Sequence, residues 1–322
     1  MTKPIRAAVI GVGYLGRFHA QKYAALEGTE LVAVVDADPA TAQGVADELG
    51  TRALTDPSEL LGEVDAVSIV VPTGLHHPIA RDFLNRGVHV LLEKPITNTV
   101  QEADELIALA EARGAVLQVG HLERFNAAVL ALEEVLDGPM FIESHRLAPF
   151  KPRGTDVSVV LDLMIHDLDI IQNLVRSPVS RIDANGVSVL TDEVDIANAR
   201  LQFENGCVAN VTASRVSMKG QRKMRLFQHD AYISVDFQDR ILSVHRKGDR
   251  EASPGIPEVT SQERVFEDGD AIRAEVESFL RTIAEGGTPL VSGQDGRQAL
   301  ATALRITELL QPARMSGGES QA

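Results

Sequence analysis

The chain has a single cysteine, Cys207, among its 322 residues, so no internal disulfide is possible and a reducing compartment fits. Cys207 follows Asn205-Gly206, a hairpin-turn signal, in a stretch that reads as a strand, and a structural role is expected for it. There is no hydrophobic run near the ~20 residues needed to cross a bilayer. The opening MTKPIRAAVIGVG enters a strand at once and carries no signal-peptide cleavage pattern, so a cytoplasmic location is expected. Basic residues are outnumbered, 31 Lys and Arg against 46 Asp and Glu, for a formal net charge of −15. That balance argues against nucleic acid or an anionic membrane surface as the main partner. It does not exclude a small anionic ligand, because a local basic cluster can override the average. No internal repeat with a period of roughly 20–50 residues is evident, which argues against a solenoid.

What is present is ordinary globular material, 44% apolar and 24% charged, in a chain long enough for two domains. IRAAVI, residues 5 to 10, reads as a short buried strand. LVAVVDADP (31–39), VDAVSIVV (64–71), VHVLLE (88–93) and AVLQVG (115–120) read the same way. Helical patterns lie between them at about 14–26, 41–50, 77–86 and 100–112, with short connections. Alternation of this kind calls for a parallel sheet covered by helices. After His121 the rhythm changes. A helix is expected over about Asn126–Leu136, a strand near Met140–Arg146 and a helix over about Ser158–Val175. Alternating, strand-like residues follow from Arg181 to about Arg246, with a hairpin turning at Asn205-Gly206. Residues 246–262, charged and carrying Pro254 and Pro257, read as a loop. Two helices follow, near 271–285 and 296–310. The expected architecture is therefore a doubly wound α/β domain over residues 1–121. An α+β domain with a large, mostly antiparallel, open-faced sheet follows over 122–322.

Gly11, Gly13 and Gly16 form G-x-G-x-x-G between the first strand and the first helix, and Asp36 stands about 20 residues beyond at the end of the next strand. A lone glycine pattern is weak evidence, but this context makes it a dinucleotide site. Gly11 permits the tight turn, Gly13 lets a pyrophosphate approach the backbone, and Gly16 allows close helix–strand packing. The helix N-terminus then favours the phosphate charge. Asp36 suits the ribose hydroxyls of NAD, whereas a 2′-phosphate would meet its charge; NAD is expected, with NADP possible and Arg17 near enough to matter.

Two further stretches carry polar residues where apolar ones belong. Strand 88–92 ends on Glu93-Lys94-Pro95, although burying an unpaired charge is costly and proline cannot continue a central strand. In an open α/β sheet ligands bind beyond the C-terminal strand ends. A lysine there can carry a proton while hydride moves to a nicotinamide; the stretch taken alone equally fits a surface lysine. The apolar helix VVLDLMIHDLDIIQNL (159–174) is interrupted by Asp162, His166, Asp167 and Asp169. At helical spacing Asp162, His166 and Asp169 share one stripe. A solvated face or a helix end would explain them, as would an acid/base histidine tuned by carboxylates. Asp-x3-His can also bind zinc, but no fourth ligand is evident and no metal is expected.

GVGYLG, VPTGLHH, LLEKPIT and LDLMIHDLD, in this order and spacing, resemble the Gfo/Idh/MocA family of nicotinamide-dependent sugar oxidoreductases over nearly the whole chain. The resemblance implies that Lys94 and His166 flank the reacting carbon, with Asp162 as the matching aspartate. It places Gly11, Gly13, Tyr14, Leu15, Gly16, Asp36, Pro72, Thr73, His76, Glu93 and Lys94 at the cofactor. Met164 departs from the glycine of many members. GHLERFN (120–126) with DVSVVLDLMIHDLD is most similar to a subgroup acting on UDP-N-acetylglucosamine, which implies oxidation of its 3-hydroxyl to a ketone. A nucleotide-sugar pyrophosphate needs a local cationic patch in an acidic protein. Arg124, Asn126, Arg153 and His166 are the expected substrate contacts; Arg146, Lys151 and the basic run Lys219, Arg222, Lys223, Arg225 are further cations, and the run equally fits a solvated or subunit-facing loop. The rivals are a free sugar or cyclitol such as inositol as substrate, and a cofactor-sensing regulator without turnover. The intact Lys94, Asp162 and His166 argue against the second. The open sheet face invites a homodimer or homotetramer. His19, His145 and His229 have no motif support and are expected to be structural or at the surface.

Overall fold

The computed structural model describes residues 3–151, 157–267 and 269–310. They form two compact units, one built from residues 3–125 with Gly269–Leu300, the other from 126–267 with 301–310.

The first unit opens with β1 (Ile5–Ile10), α1 (Tyr14–Ala25), β2 (Thr29–Val35), α2 (Pro39–Leu49) and β3 (Arg52–Leu54). It continues with β4 (Ala66–Ile69), α3 (His76–Leu84), β5 (His89–Glu93), α4 (Val100–Arg113) and β6 (Leu117–Gly120). The sheet order is β3-β2-β1-β4-β5-β6, and the strands run parallel. Ala7, Ala8, Val9, Val67, Val90 and Leu92 are fully buried, as expected of strands covered on both faces. The order reverses between β1 and β4, and that is where a crevice opens at the C-terminal strand ends. Local chemistry sets the helix ends: Asp38 caps α2 by accepting from the Ala40 and Thr41 amides, and Thr99 with Glu102 makes a capping box on α4. The three-residue β3 escaped the sequence reading because Arg-Ala-Leu is too short to show a period.

The second unit contains α5 (Ala127–Leu130), β7 (Phe141–Leu147), α6 (Ile165–Val175), β8 (Val179–Val187), β9 (Ile196–Phe203) and β10 (Val208–Ser214). β11 (Gln221–Phe227), β12 (Ala231–Asp236), β13 (Ile241–Ser253) and β14 (Ile256–Val265) complete its sheet. The order is β14-β13-β12-β11-β7-β10-β9-β8, antiparallel except where β7 and β10 run side by side. The Asn205-Gly206 turn joins β9 to β10, with Gly206 at φ +89°. Cys207 is buried there, and burial pushes its thiol up to about 11. A structural cysteine behaves this way.

Two expectations need correction. Residues 246–262 are not a loop but most of the β13–β14 hairpin. Pro254 sits at its turn and Pro257 on β14, the outermost strand, where a missing N–H breaks no ladder on the open side. The helix expected over 126–136 is only α5 followed by a 3-10 turn, Ala131–Glu134. Residues 122–125 and Gly269–Leu300 group with the first unit, because Val276, Phe279 and Leu280 of α7 (Ala271–Glu285) join the core beside Val9 and Val34. The last helix, α8 (Gly293–Leu310), runs on into the residues of the second unit.

Candidate active site

The glycine turn is shaped by steric necessity. Gly11 has φ +84°, and a Cβ there would lie 2.3 Å from the Val70 carbonyl oxygen. A Cβ on Gly16 would lie 1.8 Å from the Gly11 oxygen, so α1 cannot approach β1 with any side chain at that position. A Cβ on Gly13 would meet nothing within 4 Å. That opening, in front of the first turn of α1, is where a phosphate fits. Asp36 holds the turn from below: its Oδ2 accepts from the Val12 amide at 2.9 Å and its Oδ1 from the Asp38 amide at 3.0 Å. A cavity of about 310 Å³ is lined by Gly11, Gly13, Asp36, Ala37, Pro72 and Leu75, among others. It is mostly apolar with one carboxylate at its rim, which fits the adenosine end of a dinucleotide. Tyr14 is exposed, Leu15 half-buried, and Arg17 pairs with Glu48 at 2.6 Å.

Thr73 is half-buried at the turn after β4, and His76 is buried. The His76 ring spans two carbonyls, Nε2 at 2.9 Å from Val71 O and Nδ1 at 2.9 Å from Pro95 O. It thereby ties the end of β4 to the turn after β5. Burial holds its imidazole below the usual value. The Lys94–Pro95 peptide bond is cis. The Lys94 amide donates to Glu93 Oε2 at 3.1 Å, and the Lys94 side chain is half-buried beside the strand end. Burial pushes Glu93 up to about 7 against the opposing pull of the Lys94 charge. His121, at the end of β6, is buried and pushed down to about 3 by burial, helped by the charges of Lys94 and Arg124.

In the second unit, Asp162 lies in a turn of π-helix, Val160–Met164, that runs into α6. The Ile165 amide donates to the Val160 carbonyl five residues back. Such turns recur at functional sites because they displace side chains from the regular stripe. Asp162 and His166 are half-buried, whereas Asp167 and Asp169 are buried. Asp167 is matched by Arg146 of β7 at 2.7 Å and by the Ser144 hydroxyl at 2.9 Å.

The expected substrate residues are placed unevenly. Arg124 is 4% exposed and donates to the Leu290 carbonyl at 3.0 Å. Asn126 caps α5 through its oxygen and donates its amide to the Phe237 carbonyl at 3.0 Å. Arg153 lies outside the described residues. Arg225 approaches Glu143 at 3.8 Å. Sequence reasoning missed the polar group under the Glu93 end of β5. There His19, Glu275, Tyr23 and Ser68 are all buried. The available signal was Glu275 beside Val276 and Phe279 on an otherwise apolar helix face, together with His19 three residues beyond Gly16.

A parallel sheet reversing at a glycine turn, with an acid closing the second strand, defines a dinucleotide-binding architecture. Residues 5–121 match the Gfo/Idh/MocA oxidoreductase family, NAD-binding Rossmann fold, and residues 142–234 match the family's C-terminal domain. The chain is 45% identical to the UDP-N-acetylglucosamine 3-dehydrogenase of Acidithiobacillus ferrooxidans over 94% of its length and 96% of that protein. A crystal structure of that enzyme superposes with a TM-score of 0.90 at 43% identity, covering 96% of this chain and 98% of the other. The myo-inositol 2-dehydrogenase of Thermotoga maritima is 26% identical over 92% of this chain and 93% of its own. This chain belongs to the Gfo/Idh/MocA family of oxidoreductases, and its cofactor is a nicotinamide dinucleotide. No helix among the described residues is long and apolar enough to cross a membrane.

Proposed function

We propose that the chain is a cytoplasmic, NAD-dependent dehydrogenase that oxidises the 3-hydroxyl of UDP-N-acetylglucosamine to a ketone. The observation that carries this reading is the 45% identity, over nearly the whole of both chains, to an enzyme of that name. Gly11, Gly13, Tyr14, Leu15, Gly16 and Asp36 with Pro72, Thr73, His76 and Glu93 would hold the dinucleotide, which would supply the hydride acceptor for the sugar carbon. Asp36 favours NAD, because a 2′-phosphate would meet its negative charge.

Lys94 and His166 are the proton-handling groups of this reading, with Asp162 orienting the histidine. One of them takes the hydroxyl proton as the carbonyl forms. Arg124, Asn126 and Arg153 are assigned to the sugar nucleotide. Their contribution is to orientation and specificity, since Arg124 and Asn126 already hold backbone carbonyls. The row of rings on one face of the second sheet, Phe141, Phe227, Tyr232 and His245 with centroids 5.9, 5.1 and 5.5 Å apart, supports self-association through that face into a dimer or tetramer.

The test is the absorbance of the reduced nicotinamide with purified protein, NAD or NADP, and a panel of UDP-N-acetylglucosamine, UDP-glucose, myo-inositol and glucose. The expected result is reduction with UDP-N-acetylglucosamine and NAD. Turnover of inositol or glucose in its place keeps the family and overturns the substrate. Binding of NAD with no turnover of any sugar favours a regulator.

A further inference from the structure

Beneath the end of β5 the first unit buries more acid than a hydrophobic core tolerates without a reason. Glu275 of α7 is 0% exposed and His19 of α1 is 1% exposed. His19 Nε2 lies 3.7 Å from Glu93 Oε1 and 3.9 Å from Glu275 Oε2. The three ligand atoms lie within 4.8 Å of one another. Neither Glu275 oxygen nor His19 Nε2 has a hydrogen-bond partner among the described residues. The other side of the cluster carries hydrogen bonds. His19 Nδ1 is 3.3 Å from Ser68 Oγ, which is 2.9 Å from the Tyr23 hydroxyl. Gln118 of β6 donates its amide to the Glu275 backbone carbonyl at 3.1 Å. A Cβ on Gly120 would come within 2.8 Å of Glu93 Oε1, so the strand beside β5 leaves room for this carboxyl to lie inward.

Two carboxylates at this separation, away from water, do not both ionise; one proton is shared between them. Burial and the Glu93 charge hold Glu275 well above the ordinary carboxyl range, while burial pushes His19 down to about 4. At neutral pH the imidazole is therefore uncharged and Glu275 keeps its proton. Orientation follows from the chain of donors. With Tyr23 as donor to Ser68 and Ser68 as donor to His19 Nδ1, the His19 Nε2–H faces the two carboxyls. A carboxylic acid kept neutral by burial is a hydrogen-bond donor, and the carboxylate it faces, within 4.8 Å, is Glu93, the residue before Lys94.

We propose that Glu275 is a positioning residue for Lys94, acting through Glu93: with His19 it supplies the donors that let Glu93 stand as a single anion next to the lysine. The inference rests on the reading of Lys94 as a proton-handling group. The charges that face the set are few. Glu275 faces His19 and Tyr23 of α1 and Glu93 of β5. Glu93 faces Lys94, and within this unit Lys94 acts on His121, which also feels Arg124 and Asp295. Across the cluster one carboxylate balances one ammonium. When Glu93 loses its donors it takes up a proton, and Lys94 then loses that neighbouring negative charge and gives up its own proton at lower pH. A divalent metal held by the same three groups is the competing explanation: His19 and Glu275 are shut away from solvent while the Glu93 side chain is 12% exposed, and the metal content of the purified protein separates the two.

The experiment is the pH profile of kcat/KM for sugar oxidation, with the metal content of the purified protein measured alongside. Glu275→Leu keeps the volume and removes the donor, so it moves the acidic limb down by about one pH unit. Glu275→Gln keeps a neutral donor and holds the limb within about 0.3 unit. Glu93→Gln moves it in the same direction as Glu275→Leu, and this variant carries the test if the leucine protein does not fold. An unmoved limb in both Glu275→Leu and Glu93→Gln overturns the proposal, as does a stoichiometric metal lost on mutating Glu275. Lys94→Arg separates the two readings. A limb that persists unchanged with arginine removes Lys94 as the proton carrier whatever the glutamate variants do. A limb abolished there but insensitive to Glu275→Leu removes only the positioning role.

Discussion

Arg146 and Asp167 form a buried ion pair, Nε to Oδ2 at 2.7 Å, with side chains only 3% and 1% exposed. The pair fastens α6 to β7 one residue from His166. Ser144 donates to the same carboxylate, and the guanidinium also lies 5.5 Å over the Phe237 ring. A pair this dry adds little net stability, because desolvation offsets the attraction, but removing one member strands the other. Arg146→Met is therefore expected to cost about 3–5 kcal/mol in urea unfolding, and Asp167→Leu a similar amount. The double variant recovers most of it. Turnover should follow the same order if the pair sets the placement of His166. A double mutant as unstable as the sum of the singles would show that the two groups act independently.

Gly13 and Gly16 separate ligand space from protein space. Gly16→Ala drives a methyl into the Gly11 carbonyl, so it should destabilise the apoprotein by about 2 kcal/mol or more and abolish NAD binding. Gly13→Ala meets no protein atom. It should leave the melting temperature of the apoprotein nearly unchanged while weakening NADH binding by roughly a hundredfold, since two to three kcal/mol of phosphate contact is lost. Equal loss of stability in both variants would mean that the opening at Gly13 is not the phosphate seat.

How much of this could be read beforehand differs between the two units. The first unit writes its fold locally: strand, glycine turn, helix and closing acid are successive words, so the order of elements and the roles expected of Gly11, Gly16 and Asp36 follow from spacing. The exposed β13–β14 hairpin was hidden because its stability comes from pairing across a turn, while its residues look like those of a solvated loop; Pro254 and Pro257 reinforced that reading. The return of α7 to the first unit was hidden for a related reason. An apolar stripe says that a helix is buried, not against what. His19 and Glu275 are far apart in sequence, and only folding brings them to Glu93. Asp167 was visible as an acid in an apolar helix, but its partner Arg146 sits on a strand and looked available for phosphate.

Asp36 carries two loads, and they can be measured apart. Its oxygens fix the Val12 and Asp38 amides, and its charge faces the position of a ribose 2′ substituent in the proposed NAD complex. Asp36→Asn keeps one acceptor and removes the charge. The expected outcome is a shift of roughly tenfold toward NADP in the ratio of kcat/KM values, with a loss of stability under about 1 kcal/mol. Adding Ala37→Arg should extend the shift, because a guanidinium fork suits a phosphate. An unchanged ratio in both variants would place the selecting charge elsewhere.

The buried cluster also predicts how stability depends on pH. His19 and His121, pushed down to about 4 and about 3, are neutral when folded and take up protons when unfolded near 6.5. Their contribution is present above about 6.5 and is lost as pH falls through the folded values. Glu93 and Glu275 run the other way, since burial raises both. Their contribution is present below about 4.5 and is lost as pH rises, through about 7 for Glu93 and through a value likewise raised by burial for Glu275. The apoprotein should thus be most stable in mildly acidic buffer and weaken toward pH 8. Glu275→Gln removes one raised carboxyl, so its stability should exceed that of the parent at about pH 8 and converge with it near pH 5. Thermal unfolding across that range reads the difference directly. A gap that stays constant with pH would mean that Glu275 titrates alike in the folded and unfolded chain, and the shared proton would have to be abandoned.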